Sequence, residues 1–294
     1  AGLETGVITP TEKINDIGVY KKAHEPACWI WNSYGMSHGW LNVTEAITHS
    51  CNYFFYEVGY RATIDNIAKY AKYYGLGEKT NVELPMEEKG IVATRDKAKE
   101  RGDEWQIGET LSAAIGQSYN SYTPIQMAKY ISMLANGGEP IDVTIVKSIN
   151  DVNGNQVSKE DITKFVNAKL GLTKEKKENL NIKKENIDAI LKGMKGVTSE
   201  EGGTAYSTFA NFNIELGGKT GSAQTDVQGK INGWFVGFAP YEEPEIAVVV
   251  LVENAGSGSY TAEVARDILQ EYFGMNMEKV EEDLTAMPST EIQN

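Results

Sequence analysis

Three groups of residues in this sequence have types and spacings that could do chemistry. The first is Gly217-Gly218-Lys219-Thr220-Gly221-Ser222-Ala223-Gln224, a strand-length run with glycines on both sides of a lysine. Glycine weakens strands, so its presence here needs a reason. Period-two geometry sends Thr220 and Ser222 to one face and Lys219 to the other, while Gly221 leaves the backbone bare for a ligand lying alongside. The chemistry this suits is capture of an extended peptide at a sheet edge. Taken alone, the run fits a bulge or a tight strand crossing equally well.

The second group is Ser50-Cys51-Asn52, just before the aromatic run Tyr53-Phe54-Phe55-Tyr56. Serine ahead of an apolar helical run is ordinarily a helix cap, and the tripeptide by itself carries no more than that. The third group is Cys28, His38 and Cys51, soft or borderline metal ligands close together in the chain. A hairpin centred on Lys22 would put Asp16 opposite Cys28 and complete a tetrahedral zinc shell, with His24 and His49 in reserve. The competing reading is two buried free thiols and a histidine satisfied by backbone.

The elements that must position these groups follow from pattern. Residues 14–31 read as a short hairpin, with β-prone runs on either side of a polar link. Asn42-Val43-Thr44-Glu45 has capping-box spacing, and Ile64, Ile67, Ala68, Ala71 and Tyr74 form an apolar helical face ending at Gly75. Thr123, Pro124 and Gln126 open a helix that Gly137-Gly138 closes, with Ile125, Ala128, Ile131 and Leu134 facing a core. Val143–Val146 looks like a strand, Asn153-Gly154 a turn, and 173–186 a solvated charged face. A helix over 184–197 leads to strands at 214–225, 232–239 and 245–252, spaced as antiparallel neighbours, and a helix from Ala262 to Tyr272 packs on them. The acidic tail from Met277 offers little to bury and is expected to be mobile. Residues 1–276 are thus one domain and 277–294 a tail.

Composition narrows the classes. The chain has 294 residues, 41% hydrophobic and 23% charged, enough for a packed globule. Lys plus Arg number 28 against 41 Asp plus Glu, a net charge of -13 that is the wrong sign for following nucleic acid. The longest apolar run, Ile246 to Val252, is far short of the roughly 20 residues a membrane helix needs. Two cysteines are too few for a disulfide scaffold.

Ser-x-Asn followed at long range by Lys-Thr-Gly-Ser resembles the second and third motifs of penicillin-binding transpeptidases and serine β-lactamases. Three further stretches resemble class B penicillin-binding proteins: Ser37-His38-Gly39-Trp40-Leu41-Asn42-Val43; Ala114-Ile115-Gly116-Gln117 with Thr123-Pro124-Ile125-Gln126-Met127-Ala128; and Gly233-Trp234-Phe235-Val236-Gly237-Phe238-Ala239-Pro240. The likeness runs from Ala1 to about Tyr272 and is weakest over 141–197.

This resemblance implies an α/β (α+β) fold like that of serine β-lactamases and transpeptidases, an antiparallel sheet flanked by helices with an adjoining mainly helical subdomain. It implies a D,D-transpeptidase that cross-links peptidoglycan stem peptides ending in D-Ala-D-Ala and is acylated by β-lactams. Ser50 would shuttle a proton, Asn52 orient the substrate amide, Lys219 supply a cation, and Thr220, Gly221 and Ser222 hold the substrate and its carboxylate. A β-lactam sensor or hydrolase, or a non-catalytic peptide scaffold, are the alternative functions. The family's Ser-x-x-Lys motif is missing, since no serine here has lysine three residues later. It is expected upstream of Ala1, in the N-terminal part of the same protein, so the chain alone is expected to be inactive. Kinship further implies a membrane anchor upstream, an extracytoplasmic location, a membrane glycosyltransferase partner, and structural zinc on Asp16, Cys28, His38 and Cys51.

Overall fold

The computed structural model describes residues 1–171, 180–225 and 227–275. In chain order its elements are β1 (Ile14–Asp16), α1 (Trp29–Tyr34), β2 (Gly39–Leu41), α2 (Val43–Thr48), α3 (Asn52–Tyr73), α4 (Arg95–Glu100), α5 (Ile107–Ala114), α6 (Pro124–Ala135), α7 (Lys159–Leu170), α8 (Lys184–Ser199), α9 (Tyr206–Phe209), β3 (Gly217–Gln224), β4 (Ile231–Ala239), β5 (Ile246–Val252) and α10 (Ser259–Tyr272).

The three late strands form an antiparallel sheet in the order β3-β4-β5, so β3 is an edge, as its glycines suggest. Lys219 pairs with Val236 and Ser222 with Gly233. The central strand is the most buried of the three, with Phe235 and Phe238 fully enclosed. Helix α10 lies over β4 and β5. It comes so close that a Cβ on Gly233 would sit 3.0 Å from Thr261 Cγ2.

Helix α8 links this sheet to the N-terminal elements. A Cβ on Gly193 would lie 2.7 Å from Ile47 Cβ, and one on Gly196 would lie 2.2 Å from Thr48 Oγ1, so both positions admit α2 only as glycine. In the same C-terminal turns Thr198 donates to the Leu216 carbonyl at 2.7 Å, immediately before β3. One helix therefore fixes the end of α2 relative to the start of β3.

Both expected capping boxes form, Asn42 with Glu45 and Thr123 with Gln126. Gln126 does more than cap. Fully buried, it donates to the carbonyls of Glu78 and Lys89, each at 2.7 Å. The face of α6 accordingly differs from the expected one: Ile131, Met133, Leu134 and Gln126 are buried, and Ile125 and Ala128 only half-buried.

Other expectations need correction. The hairpin over 14–31 does not form as a continuous ladder. Ile14–Asp16 pairs instead with Gly39–Leu41, and Trp29–Tyr34 is helical. The polar link turns with Val19 opposite Ala27, a register one residue away from a centre on Lys22. Val143–Val146 is not a strand, and Glu83 satisfies its backbone and side-chain donors at Thr144 and Ile145 instead. The solvated face expected over 173–186 holds only in part: Lys183, Lys184 and Glu185 are exposed, but Asn186 is buried on Glu4 and Leu180 and Ile182 pack against the core, while 172–179 and the tail from 277 lie outside the described residues. Among the described residues no helix is long and apolar enough to cross a membrane.

Candidate active site

Helix α2 ends in a Schellman turn: Cys51 N–H donates to Ala46 O at 2.9 Å and Ser50 N–H to Ile47 O at 3.1 Å. This motif needs a left-handed residue, usually glycine, and Ser50 occupies it with φ 54°. A non-glycine residue there costs on the order of 1 kcal/mol. Serine is kept at a strained position, and its side chain leaves the helix axis. Ser50 is not the cap of α3; that is Cys51, whose Sγ accepts from Phe54 N–H at 3.4 Å.

Lys219 reaches this turn from β3. Its Nζ donates to Ser50 Oγ at 2.8 Å and to the Thr220 carbonyl at 2.8 Å. Although Lys219 as a whole is only half-buried, its ammonium end is enclosed, and burial lowers its pKa from 10.5 to about 8. On the opposite face Ser222 Oγ accepts from Gly258 N–H at 3.0 Å and Thr220 Oγ1 meets Thr204 Oγ1 at 2.7 Å. Gly221 has a second role that its sequence context did not suggest. The backbone of Gly258 packs against it, so that a Cβ on Gly258 would fall 2.3 Å from the Gly221 carbonyl oxygen. Gln117 Nε2 donates to the Ser222 carbonyl at 3.4 Å, from the loop after α5. Asn52 is the first residue of α3, half-buried and two residues after Ser50.

The order Ser-x-Asn and Lys-Thr-Gly-Ser therefore converges in space, joined by the Lys219–Ser50 contact. The same residues are covered by a sequence model of the penicillin-binding protein transpeptidase domain, which matches residues 1–270. The chain belongs to the penicillin-binding protein transpeptidase family.

Relatives of this transpeptidase domain include the peptidoglycan D,D-transpeptidase MrdA of Haemophilus influenzae, 30% identical over 94% of the chain and 42% of the relative. MrdA of Escherichia coli is 30% identical over 92% of the chain and 43% of its own length. The chain thus spans less than half the length of these relatives. Among solved structures, Pseudomonas aeruginosa PBP2 in complex with WCK 5153 superposes with a TM-score of 0.78 at 31% identity, covering 92% of the chain and 57% of that structure. PBP2 of Helicobacter pylori in complex with MreC gives 0.72 at 27% identity, over 94% and 49%. The antiparallel sheet with its helices is the transpeptidase fold anticipated from the motifs.

Beside the Ser50 turn lies a second polar cluster. The candidate ligand atoms of Asp16, Cys28, His38 and Cys51 all lie within 4.8 Å of one another. Asp16 enters through the β1–β2 pairing, opposite Gly39 and hence next to His38, rather than through the expected pairing with Cys28. Cys28 is the residue before α1 and Cys51 the cap of α3, so three element ends meet here.

The Asp16 carboxylate collects donors: Gly18 N–H at 2.7 Å, His38 Nδ1 at 2.7 Å, His38 N–H at 3.2 Å and Cys51 Sγ at 3.3 Å. Burial pushes its pKa up, but these bonds outweigh it and hold it down at about 2. The two sulfurs lie 4.0 Å apart, and their mutual hydrogen bonding holds Cys28 down at about 5 and raises Cys51. His38 is disfavoured as a cation by burial, yet Asp16 and Cys28 raise it to about 9. The reserve histidines stand outside the cluster: His24 lies against Gly108, and His49 donates to the Gly202 carbonyl at 3.1 Å.

The loop carrying Cys28 is anchored by buried Glu57 of α3, which accepts from Tyr20 at 2.6 Å and from Lys22 at 2.8 Å. Arg61 adds a bond at 2.8 Å. Sequence reading missed Glu57, Thr204 and Gly258 as site-building residues and gave His49 only as a reserve metal ligand, not as a partner of Gly202.

Proposed function

We propose that this chain is the greater part of a serine D,D-transpeptidase domain that joins peptidoglycan stem peptides and is acylated by β-lactams. What supports the reading above all is the 2.8 Å contact between Lys219 and Ser50, residues far apart in the chain whose types match two family motifs. In this proposal the nucleophilic serine and its lysine belong to a Ser-x-x-Lys element upstream of Ala1. The serine attacks the penultimate D-Ala carbonyl, D-Ala leaves, and an amine from a neighbouring stem peptide resolves the acyl-enzyme.

Each residue then has a task. Ser50, hydrogen-bonded to a cation, relays the proton to the leaving amine. Enclosed positive charge on Lys219 disfavours protonation of the upstream lysine and attracts the substrate carboxylate. The hydroxyls of Thr220 and Ser222 bind that carboxylate, Asn52 orients the substrate amide, and Ser222 N–H supplies half of an oxyanion hole. One such donor is worth about 100- to 1,000-fold in rate.

Asp16, Cys28, His38 and Cys51 suit zinc in their chemistry: two sulfurs, an imidazole and a carboxylate whose ligand atoms lie within 4.8 Å of one another, on side chains that are all but buried. His38 would bind through Nδ1, the nitrogen that faces Asp16 and Cys28. A zinc ion there supplies structural cross-linking of α1, β1 and the start of α3, which stiffens the turn holding Ser50. By the same kinship the protein works outside the cytoplasmic membrane, anchored upstream, beside a glycosyltransferase.

The test is product analysis. The longer polypeptide containing Ser-x-x-Lys, given donor and acceptor stem peptides, should release D-Ala and form a cross-linked dimer detectable by mass, while turning over penicillin only very slowly. Rapid β-lactam hydrolysis without cross-linking would favour a hydrolase instead.

A further inference from the structure

We propose that Thr204, held in place by His49, is a positioning residue that points the Thr220 hydroxyl proton at the substrate carboxylate; this rests on the transpeptidase reading above. A hydroxyl has one proton and two lone pairs. Thr204 Oγ1 and Thr220 Oγ1 are 2.7 Å apart, so one donates to the other. If Thr204 donates, the Thr220 proton is free for an anion. Ser222 has the same arrangement: its Oγ accepts from Gly258 N–H, which can only donate, and its proton is likewise left over. Thr220 and Ser222 occupy alternate positions on β3. Both present a free O–H donor to one anionic group only when Thr204 plays the part for Thr220 that Gly258 plays for Ser222.

Thr204 is fixed from two sides. Its loop closes onto the end of α8 through Gly203 N–H to Glu200 O at 2.9 Å and Ala205 N–H to Val197 O at 3.0 Å. A Cβ on Gly203 would lie 2.4 Å from the Gly196 carbonyl oxygen, so no other residue lets the loop approach this closely. From the Ser50 side, His49 Nδ1 donates to Gly202 O at 3.1 Å, with its ring stacked on His38 at 6.0 Å. The residue before Ser50 thus ties the carboxylate-binding hydroxyls to the proton-relay turn.

The experiment compares acylation of the longer polypeptide by benzylpenicillin and by its methyl ester, which lacks the negative charge. Thr204→Val should slow acylation by the acid about tenfold, the size of one charge-assisted hydrogen bond, while the ester rate changes less than about twofold. The acid-to-ester preference then falls, and Thr204→Ser restores it. His49→Ala should lower the preference in the same sense, and His49→Asn, which keeps a donor, should recover part of it. Equal losses for acid and ester, or an unchanged preference in Thr204→Val, would overturn the role of Thr204. Failure of the unsubstituted protein to react with either compound would instead overturn the transpeptidase reading itself.

Discussion

The Lys219 ammonium donates to the Ser50 hydroxyl over 2.8 Å, tying the edge strand β3 to the Schellman turn that precedes α3. Two residues in direct contact act as a unit, so their substitutions should not add. In the longer polypeptide, Ser50→Ala and Lys219→Met should each slow acylation by penicillin about 100-fold or more. Together they should cost far less than the product of the two. Strict multiplicativity in a double-mutant cycle would mean that the contact carries no function.

The same lysine gives stability a pH dependence. Its pKa is about 8 in the folded chain against 10.5 when exposed, so between these values the unfolded chain binds more protons. The contribution of Lys219 to stability is therefore fullest above pH 10.5 and is lost as pH falls through about 8. Lys219→Met should be more stable than the parent at pH 7, by on the order of 3 kcal/mol, and the gap should close toward pH 10.5. Urea unfolding at several pH values reads this directly. A gap that does not vary with pH would place the ammonium in water.

Metal removal should act on the whole N-terminal half. Elemental analysis of protein purified without chelator should find one zinc per chain, and chelation should lower Tm. Cys28→Ser and His38→Ala should each reduce zinc content, whereas His24→Ala should not, because His24 stands away from the cluster against Gly108.

Gly258 offers a test of packing. Gly258→Ala introduces a Cβ 2.3 Å from the Gly221 carbonyl oxygen, which forces the loop off β3 and breaks the bond to Ser222. Overpacking of this kind costs about 1 to 3 kcal/mol. Denaturant unfolding should register that loss, and acylation should weaken with it. Its backbone φ of -68° is ordinary, so the effect would come from contact and not from conformational strain.

How much of this was legible in the chain differs from element to element. The helix at Pro124–Ala135 and the three late strands were readable because local signals, a capping box and alternating apolar runs, agree with tertiary burial. Asp16, Cys28, His38 and Cys51 come together as a cluster, but not by the hairpin geometry first used to assemble them. Asp16 reaches the site through a pairing with Gly39, a long-range choice that no hairpin rule foresees. Val143–Val146 has strand propensity, but Glu83 takes the donors of Thr144 and Ile145, so propensity lost to context. Thr204 and His49 matter through bonds to residues distant in sequence, and such bonds leave no local trace.

The most direct measurement is covalent labelling by a fluorescent penicillin, followed on denaturing gels. Residues 1–294 alone should remain unlabelled, the longer polypeptide with Ser-x-x-Lys should label stably, and Lys219→Ala in that polypeptide should abolish the signal. Stable labelling of residues 1–294, or labelling that survives Lys219→Ala undiminished, would contradict the assignment of this site.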